Sequence, residues 1–391
     1  PGLTSNLGRL TDPTPLPFTS DSDPMSYERS NIKRMTGYAS GEQPNQPGII
    51  KLNTNENPYP ATPAVAAALA DLRVDSLRRY PQPLANDFRR IAAQYHQVGI
   101  DNIIATNGGD ELLRLVITTF VDVGETIAIA EPSYSLYPVL AEIQGCEVAR
   151  IDLQDDWSMA ADFAARLNAT GAKLAFVVNP HAPSGLLTSA ERLAEIAQEF
   201  TGVLVIDEAY VDFIDPDLHY DAVALTKRFD NVLILRTMSK GYSLAGLRFA
   251  YGIAATSLTE PMLYKTRDSY NTDVISQVLA TAALSDRAAA AVSWERVRTE
   301  RARVKKALEN LGFQCADSQS NFLLAQVPSA DARYENSELM AREFYQRLKD
   351  DGILIRYFDQ PRLRDKLRIT IGTFEENQKL LQHLESYLRN T

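Results

Sequence analysis

Several short apolar runs in this chain are followed at once by side chains that can do chemistry. IIAT (103–106) leads into NGGDE, where Gly108 and Gly109 allow a tight turn and Asp110 opens a helix. The free backbone N–H groups of such a helix start favour an anion such as phosphate. The same residues also suit an ordinary glycine turn with an aspartate cap. KLAFVVN ends at Asn179-Pro180, and VLVI runs into Asp207-Glu208-Ala209-Tyr210. NVLILR runs into Thr237-Met238-Ser239-Lys240, and Arg248 follows eight residues after the lysine. Each has a plain explanation alone: a strand-end acid caps a helix, and a strand-end lysine snorkels to water.

Together the plain explanations weaken, because an open α/β sheet gathers the carboxyl ends of its strands on one edge, where ligands sit. An anion-binding helix start, an amide, a carboxylate, a phenol, hydroxyls, a lysine and an arginine on one edge suit pyridoxal phosphate. A lysine amine condenses with the aldehyde of that cofactor, and a carboxylate keeps its pyridine nitrogen protonated so that the ring draws electrons. Hydroxyls, backbone N–H groups and an arginine hold its phosphate. Other chemistries fit less well. GYSLAG has the gap of a phosphate-binding loop, but Leu247-Arg248 stands where Lys-Ser or Lys-Thr is needed, and no GxGxxG occurs. His96, His181, His219 and His383 lack metal-ligand spacing, so no metal is expected.

The elements that must position these residues are legible in the pattern. Between about 100 and 255, runs apolar on both faces alternate with helical segments such as DELLRLVITTFV and TSAERLAEIAQEF, which predicts an α/β layer with a helix-covered parallel sheet. Beyond it, a long charged helix over about 285–311 precedes strands NFLLAQV, ILIRYF and KLRITI and two more helices, a smaller α+β unit. The expected division is a flexible extension at 1–24, an arm at 25–57, a large cofactor-binding domain at 58–284 and a small domain at 285–391. A length of 391 residues fits two domains, and 45% apolar with 23% charged residues fits a globular protein. A net charge of −10 disfavours broad nucleic-acid binding. No apolar run approaches the roughly 18 residues of a membrane helix. Two cysteines, Cys146 and Cys315, make a disulfide framework improbable and suit a reducing cytoplasm.

The chain resembles the fold-type I pyridoxal phosphate enzymes of the class I/II aminotransferases, and within them the histidinol-phosphate aminotransferase family. The resemblance spans residues about 32–390 and rests on LNTNENPYP, RYP (79–81), NGGDE, EPSYSLYP, NP…SG (179–185), DEAYVDF, RTMSKGYSLAGLR, SYN (269–271), SNFLL, ILIR and LRITIG, in the family's order and spacing. It implies a mixed, mostly parallel sheet and a homodimer with shared active sites. It implies Lys240 as the Schiff-base lysine, Asp207 on the pyridine nitrogen, and Tyr210 and Asn179 on the ring hydroxyl oxygen, with Tyr134 stacked on the ring. Gly109, Asp110, Thr237, Ser239 and Arg248 would hold the phosphate, and Tyr59 would reach the phosphate in the neighbouring subunit. Arg368 and Arg356 would bind substrate anions, and Tyr38, Asn53, Tyr270 and Asn271 would line the substrate side. The implied reaction is transamination between an amino donor, L-histidinol phosphate, and a 2-oxo acid, 2-oxoglutarate. The alternatives are an aromatic amino-acid aminotransferase or a threonine-phosphate decarboxylase on the same scaffold. One departure stands out. NPHAPSG replaces the family's Asn-Pro-Asn-Asn-Pro-Thr-Gly, so His181 either touches substrate or sits in the loop outside the site.

Overall fold

In chain order the strands are β1 (Ile50–Lys51), β2 (Ile103–Thr106), β3 (Thr126–Glu131), β4 (Glu147–Asp152), β5 (Leu174–Val178), β6 (Val203–Asp207), β7 (Val232–Thr237), β8 (Ala250–Ala254), β9 (Gln314–Cys315), β10 (Phe322–Gln326), β11 (Ile353–Leu354), β12 (Arg356–Tyr357) and β13 (Lys366–Thr370). They come from a computed structural model that describes residues 26–39, 41–44, 46–329 and 335–389. The extension expected at 1–24 lies outside the described residues.

β2 to β8 form one seven-stranded sheet in the order β2-β8-β7-β6-β5-β3-β4. β3 to β7 are parallel, and β8 alone is reversed, antiparallel to β2 on one side and β7 on the other. The sheet is mixed and mostly parallel. Period-two alternation divides its side chains between two covered faces. Ile104, Ile129, Phe176, Val205 and Leu233 pack with helices Gly108–Phe120 and Leu136–Gln144. Ala105, Ala128, Val177, Ile206 and Ile234 pack with helices Asn86–His96, Ala190–Glu199 and Val274–Ser285. Helices on both faces explain why β2, β5 and β8 are buried along their whole length. β4 is the sheet's end strand and is largely uncovered, which is why EVARID is more polar than its neighbours.

The C-terminal part forms a four-stranded antiparallel sheet, β12-β13-β10-β9, packed by helices Arg287–Asn310, Ser337–Asp350 and Phe374–Arg389. The run ILIRYF, expected as one strand, divides at Ile355: β11 pairs in parallel with β1 of the arm, and β12 pairs with β13. The arm is thereby sewn to the small sheet. The long helix ties the two parts. Trp294 Nε1 donates to Gly241 O at 2.6 Å, and Arg301 Nη1 donates to Phe213 O at 2.9 Å and Ser320 O at 2.7 Å.

One buried cation fixes the start of β2. Arg89, 2% exposed, donates from Nε to Ile103 O at 2.8 Å and from Nη2 to Ile100 O at 2.9 Å, and its Nη1 reaches Asn86 Oδ1 at 3.0 Å. Asp101 is its ion-pair partner at 3.3 Å. The fork geometry of guanidinium suits several carbonyls at once, which an ammonium cannot match. Arg89→Ala should lower unfolding stability by about 3 kcal/mol and Arg89→Lys by roughly half as much. Urea unfolding measures both, and a midpoint unmoved in Arg89→Ala would show that water replaces the lost donors.

Candidate active site

The reversed strand β8 completes the site. Its first residue, Ala250, lies opposite both Thr106 of β2 and Thr237 of β7, at the carboxyl ends of those strands. Arg248, two residues earlier, therefore enters the same edge from the opposite chain direction. Its own φ of +57° turns it there. Gly108 opens the helix after β2 at φ +77°, and a Cβ at that position would stand 2.7 Å from Arg248 Nη2. The backbone conformation favours glycine here, and a side chain would also push the end of the Arg248 guanidinium aside. Arg248 donates to Ala245 O at 3.2 Å and to Asp110 Oδ2 at 3.3 Å. Thr237 donates its hydroxyl to Ser239 Oγ at 2.9 Å, and the Ser239 N–H donates to Thr237 Oγ1 at 3.1 Å.

These groups face a cavity of about 280 Å³ between the sheet edge, the arm and the small domain. Of the residues singled out in the sequence, Tyr38, Asn53, Gly109, Asp110, Tyr134, Asp207, Tyr210, Thr237, Ser239, Lys240, Arg248, Arg356 and Arg368 line it. Asn179, Tyr59, Tyr270 and Asn271 do not. Asn179 is fully buried, and its amide is spent elsewhere: Nδ2 donates to Thr188 O at 3.0 Å and to Tyr220 OH at 2.8 Å, while Oδ1 accepts from Thr188 N–H at 2.8 Å. Both donors are used, so the amide closes its own loop rather than facing the cavity. Asn271 donates to Ala105 O at 3.0 Å and Glu111 Oε2 at 3.1 Å. Tyr270 stacks on Tyr80 at 4.5 Å on the outer surface, and Tyr59 lies under Arg296.

Charge within the cavity is held against burial. Asp207 is 4% exposed, and burial pushes its carboxyl up to about 6. Tyr137 OH donates to its Oδ2 at 2.8 Å and Ala209 N–H to its Oδ1 at 3.1 Å, both favouring the ionised form. Lys240 donates from Nζ to Thr54 O at 2.8 Å. Burial first, then the charge of Arg368, lowers its amine to about 8. Arg368 donates from Nη2 to Asn53 O at 2.8 Å, but its Nε is buried without a partner. Asn53 Oδ1 and Ser133 Oγ, from two other residues that line the cavity, are likewise unsatisfied. The Arg368 Nε–H and the Ser133 hydroxyl can donate to an anionic ligand, whereas Asn53 Oδ1 can only accept.

Sequence reasoning passed over Tyr137 and Asn55. Tyr137 lies three residues after Tyr134 in EPSYSLYP, at the start of helix Leu136–Gln144, and stacks on Phe176 at 4.6 Å. Asn55 sits inside NTNENP and donates from Nδ2 to Tyr210 OH at 3.0 Å. His181 lies off the cavity wall, though Ala182 and Pro183 are on it. Its ring is buried, with Nε2–H donating to Pro132 O at 2.8 Å and Nδ1 beside Ser184 Oγ at 2.7 Å. Burial lowers its pKa to about 4, so it stays neutral and structural.

A lysine, a carboxylate and an anion cradle on the carboxyl edge of such a sheet define a class I and II aminotransferase: residues 47–384 match that family, and the chain belongs to it. Relatives that span nearly the whole chain include Histidinol-phosphate aminotransferase 1 of Nostoc sp., 42% identical over 366 residues, covering 93% of this chain and 99% of that protein. The histidinol-phosphate aminotransferase of Synechocystis sp. is 42% identical over 358 residues, covering 92% and 97%. Among solved structures, histidinol-phosphate aminotransferase from Sinorhizobium meliloti in complex with pyridoxal-5'-phosphate shares the fold at TM-score 0.85 and 23% identity, covering 94% of this chain and 99% of that one. L-threonine-O-3-phosphate decarboxylase from Porphyromonas gingivalis shares it at TM-score 0.73 and 20% identity, covering 87% and 99%.

The burial of Asp207 has a thermodynamic signature. Its folded pKa of about 6 lies above an unfolded value of about 4. The associated stability is fully present below about pH 4 and is lost as pH rises to about 6. Cofactor-free Asp207→Asn should therefore be more stable than the parent at about pH 8, by up to about 3 kcal/mol, and equal to it near pH 4. Urea unfolding across that range measures the difference, and equal stability at about pH 8 would mean that water reaches the carboxylate in the folded protein.

Proposed function

We propose that this aminotransferase uses pyridoxal phosphate to pass an amino group from L-histidinol phosphate to 2-oxoglutarate, giving imidazole-acetol phosphate and glutamate. The observation that carries the proposal is a pair of arginines, Arg356 and Arg368, facing the same cavity as Lys240. Neither has a carboxylate partner among the described residues. Two guanidinium groups without an ion-pair partner among the described residues suit a phosphate on one substrate and a carboxylate on the other. The relatives named histidinol-phosphate aminotransferase support the same donor.

Bound pyridoxal phosphate supplies an aldehyde for the amine and a ring that draws electrons from the substrate Cα. Lys240 would hold it covalently through Nζ, and Asp207, kept charged by Tyr137 and Ala209, would hold the proton on the ring nitrogen. Arg248, the Thr237 and Ser239 hydroxyls and the Gly109 and Asp110 N–H groups would hold the phosphate. Asp110's carboxylate, already on Arg248, offsets part of that arginine's charge. Tyr134 and Tyr38 both line the cavity, edge to face at 5.9 Å. The Lys240 amine would also serve to move a proton at the substrate Cα, since an amine lowered to about 8 is partly neutral at working pH.

We read the assembly as a homodimer with shared sites, the large domain ending near 284 and the small one beginning near 285. Tyr59 lies away from its own cavity, and Tyr80, 80% exposed, stacks on Tyr270 as an uncovered aromatic pair that suits a second copy. The unpaired thiols Cys146 and Cys315 support a cytoplasmic setting. Among the described residues no helix is long and apolar enough to cross a membrane.

L-histidinol phosphate added without a keto acid should abolish the visible absorbance of the bound cofactor, and 2-oxoglutarate should restore it. An unchanged spectrum would remove this donor, and carbon dioxide released from O-phosphothreonine would move the protein to the decarboxylase reading. Lys240→Ala should retain its fold and lose turnover by at least about six powers of ten; activity well above that floor would unseat the lysine. Lys240→Ala and Tyr59→Ala, each inactive alone, should regain about a quarter of parental activity when dissociated and reassociated together, because a mixed dimer holds one intact site. No recovery, with mixed dimers demonstrated by mass, would rule out the shared site.

A further inference from the structure

Asn55 is 1% exposed, has φ +56°, and uses every polar group it owns. Asparagine is among the few residue types that settle in this left-handed conformation. Its N–H lies 3.0 Å from Thr370 Oγ1, the Thr370 hydroxyl lies 3.0 Å from its Oδ1, and its Nδ2 lies 3.0 Å from Tyr210 OH. Its carbonyl accepts from Asn321 Nδ2 at 2.9 Å. The arm, strands β10 and β13 of the small domain, and the cavity meet at this residue.

The direction of each bond follows from one group that has no choice. A backbone N–H can only donate, so Thr370 Oγ1 accepts. The Thr370 proton then needs an acceptor, and Asn55 Oδ1 is the one in reach. That settles which end of the amide faces which neighbour: Oδ1 points to Thr370, so Nδ2 points to Tyr210 and donates to the phenol oxygen. Turning the amide over would leave a buried hydroxyl proton on Thr370 without an acceptor, a costly state at 2% exposure. The phenol cannot give its proton back to an amine-like donor. Among the described residues nothing accepts it, and Tyr210 lines the cavity.

We propose that Asn55 is a positioning residue, which through this one-way chain of hydrogen bonds obliges Tyr210 to present its hydroxyl proton to the cavity. The proposal rests on the reading of Tyr210 as the neighbour of the cofactor's ring oxygen. A phenol that can only donate stabilises the deprotonated form of that oxygen, which lowers the pH at which the bound cofactor's visible absorbance titrates.

The test compares Asn55→Asp, Thr370→Val and Tyr210→Phe, each loaded with pyridoxal phosphate, by the pH midpoint of cofactor absorbance, with cofactor affinity and melting temperature measured alongside. Aspartate keeps the left-handed backbone but accepts from Thr370 and Tyr210 alike, drawing the phenol proton away. Its midpoint should rise by about one pH unit, in the direction of Tyr210→Phe. Thr370→Val adds no charge, so it separates the hydrogen-bond chain from simple electrostatics. It frees the amide to turn and should raise the midpoint by a smaller amount. A midpoint that moves in Tyr210→Phe but not in Asn55→Asp overturns the proposal, even if the melting temperature falls, since the residue is then only structural. A rise in Asn55→Asp with none in Thr370→Val also overturns it, because the added charge alone then explains the shift. A midpoint unmoved by Tyr210→Phe overturns it at its premise, the role read for Tyr210.

Discussion

Asp207 ends β6 in the middle of a sheet covered on both faces, where burial penalises its charge more than any partner in the protein relieves it. Lys240, at the end of the adjacent strand, meets the same penalty with the opposite sign. The two effects converge: a carboxyl raised to about 6 and an amine lowered to about 8 both lie closer to neutral pH than in water. Groups shifted this way change protonation state near neutral pH, which is characteristic of functional sites. The cavity is therefore destabilising for the folded chain and useful for proton transfer for one and the same reason.

Where these groups meet is decided by sheet topology. Parallel strands deliver their carboxyl ends to one edge, so Asp207 and Lys240 arrive there by chain direction alone. Arg248 could not, because the residue before a parallel strand falls on the far edge. Reversal of β8 between β2 and β7 removes that obstacle and sets a cation beside the helix start at Gly108. One antiparallel strand in an otherwise parallel arrangement is thus the device that assembles the anion cradle.

This logic explains what was legible in the sequence. Lys240, Asp207 and Gly109 were found because they follow apolar runs buried on both sides, and position after such a strand is a backbone property. β8 itself went unread: AYGIA is short, and one of its two partners, β2, lies far away in sequence. Asn179 was located correctly at its strand end, but the direction of its amide depends on Thr188 and Tyr220, which no spacing rule connects to it. Tyr137 and Asn55 escaped for the same reason, since each acts through a partner some 70 or 155 residues away. ILIRYF read as one strand because its two isoleucines, tyrosine and phenylalanine favour strands; in the fold it divides between the arm and β13.

The small domain contributes through the register of a single strand. Along β13, Leu367 and Ile369 are fully buried in the core, while Arg368 and Thr370 alternate to the other face, toward the cavity and Asn55. The cavity-facing guanidinium and the hydroxyl bonded to Asn55 are therefore two residues apart on one side of one strand. β10 pins that arrangement, with Leu324 opposite Arg368 and Phe322 opposite Thr370. A slip of one residue would turn both polar side chains into the apolar core and both apolar ones out of it, so the core fixes the register firmly. Any movement of the small domain relative to the sheet must carry Arg368 and Thr370 together, which couples the cavity-facing guanidinium to the hydrogen bonds that reach Tyr210.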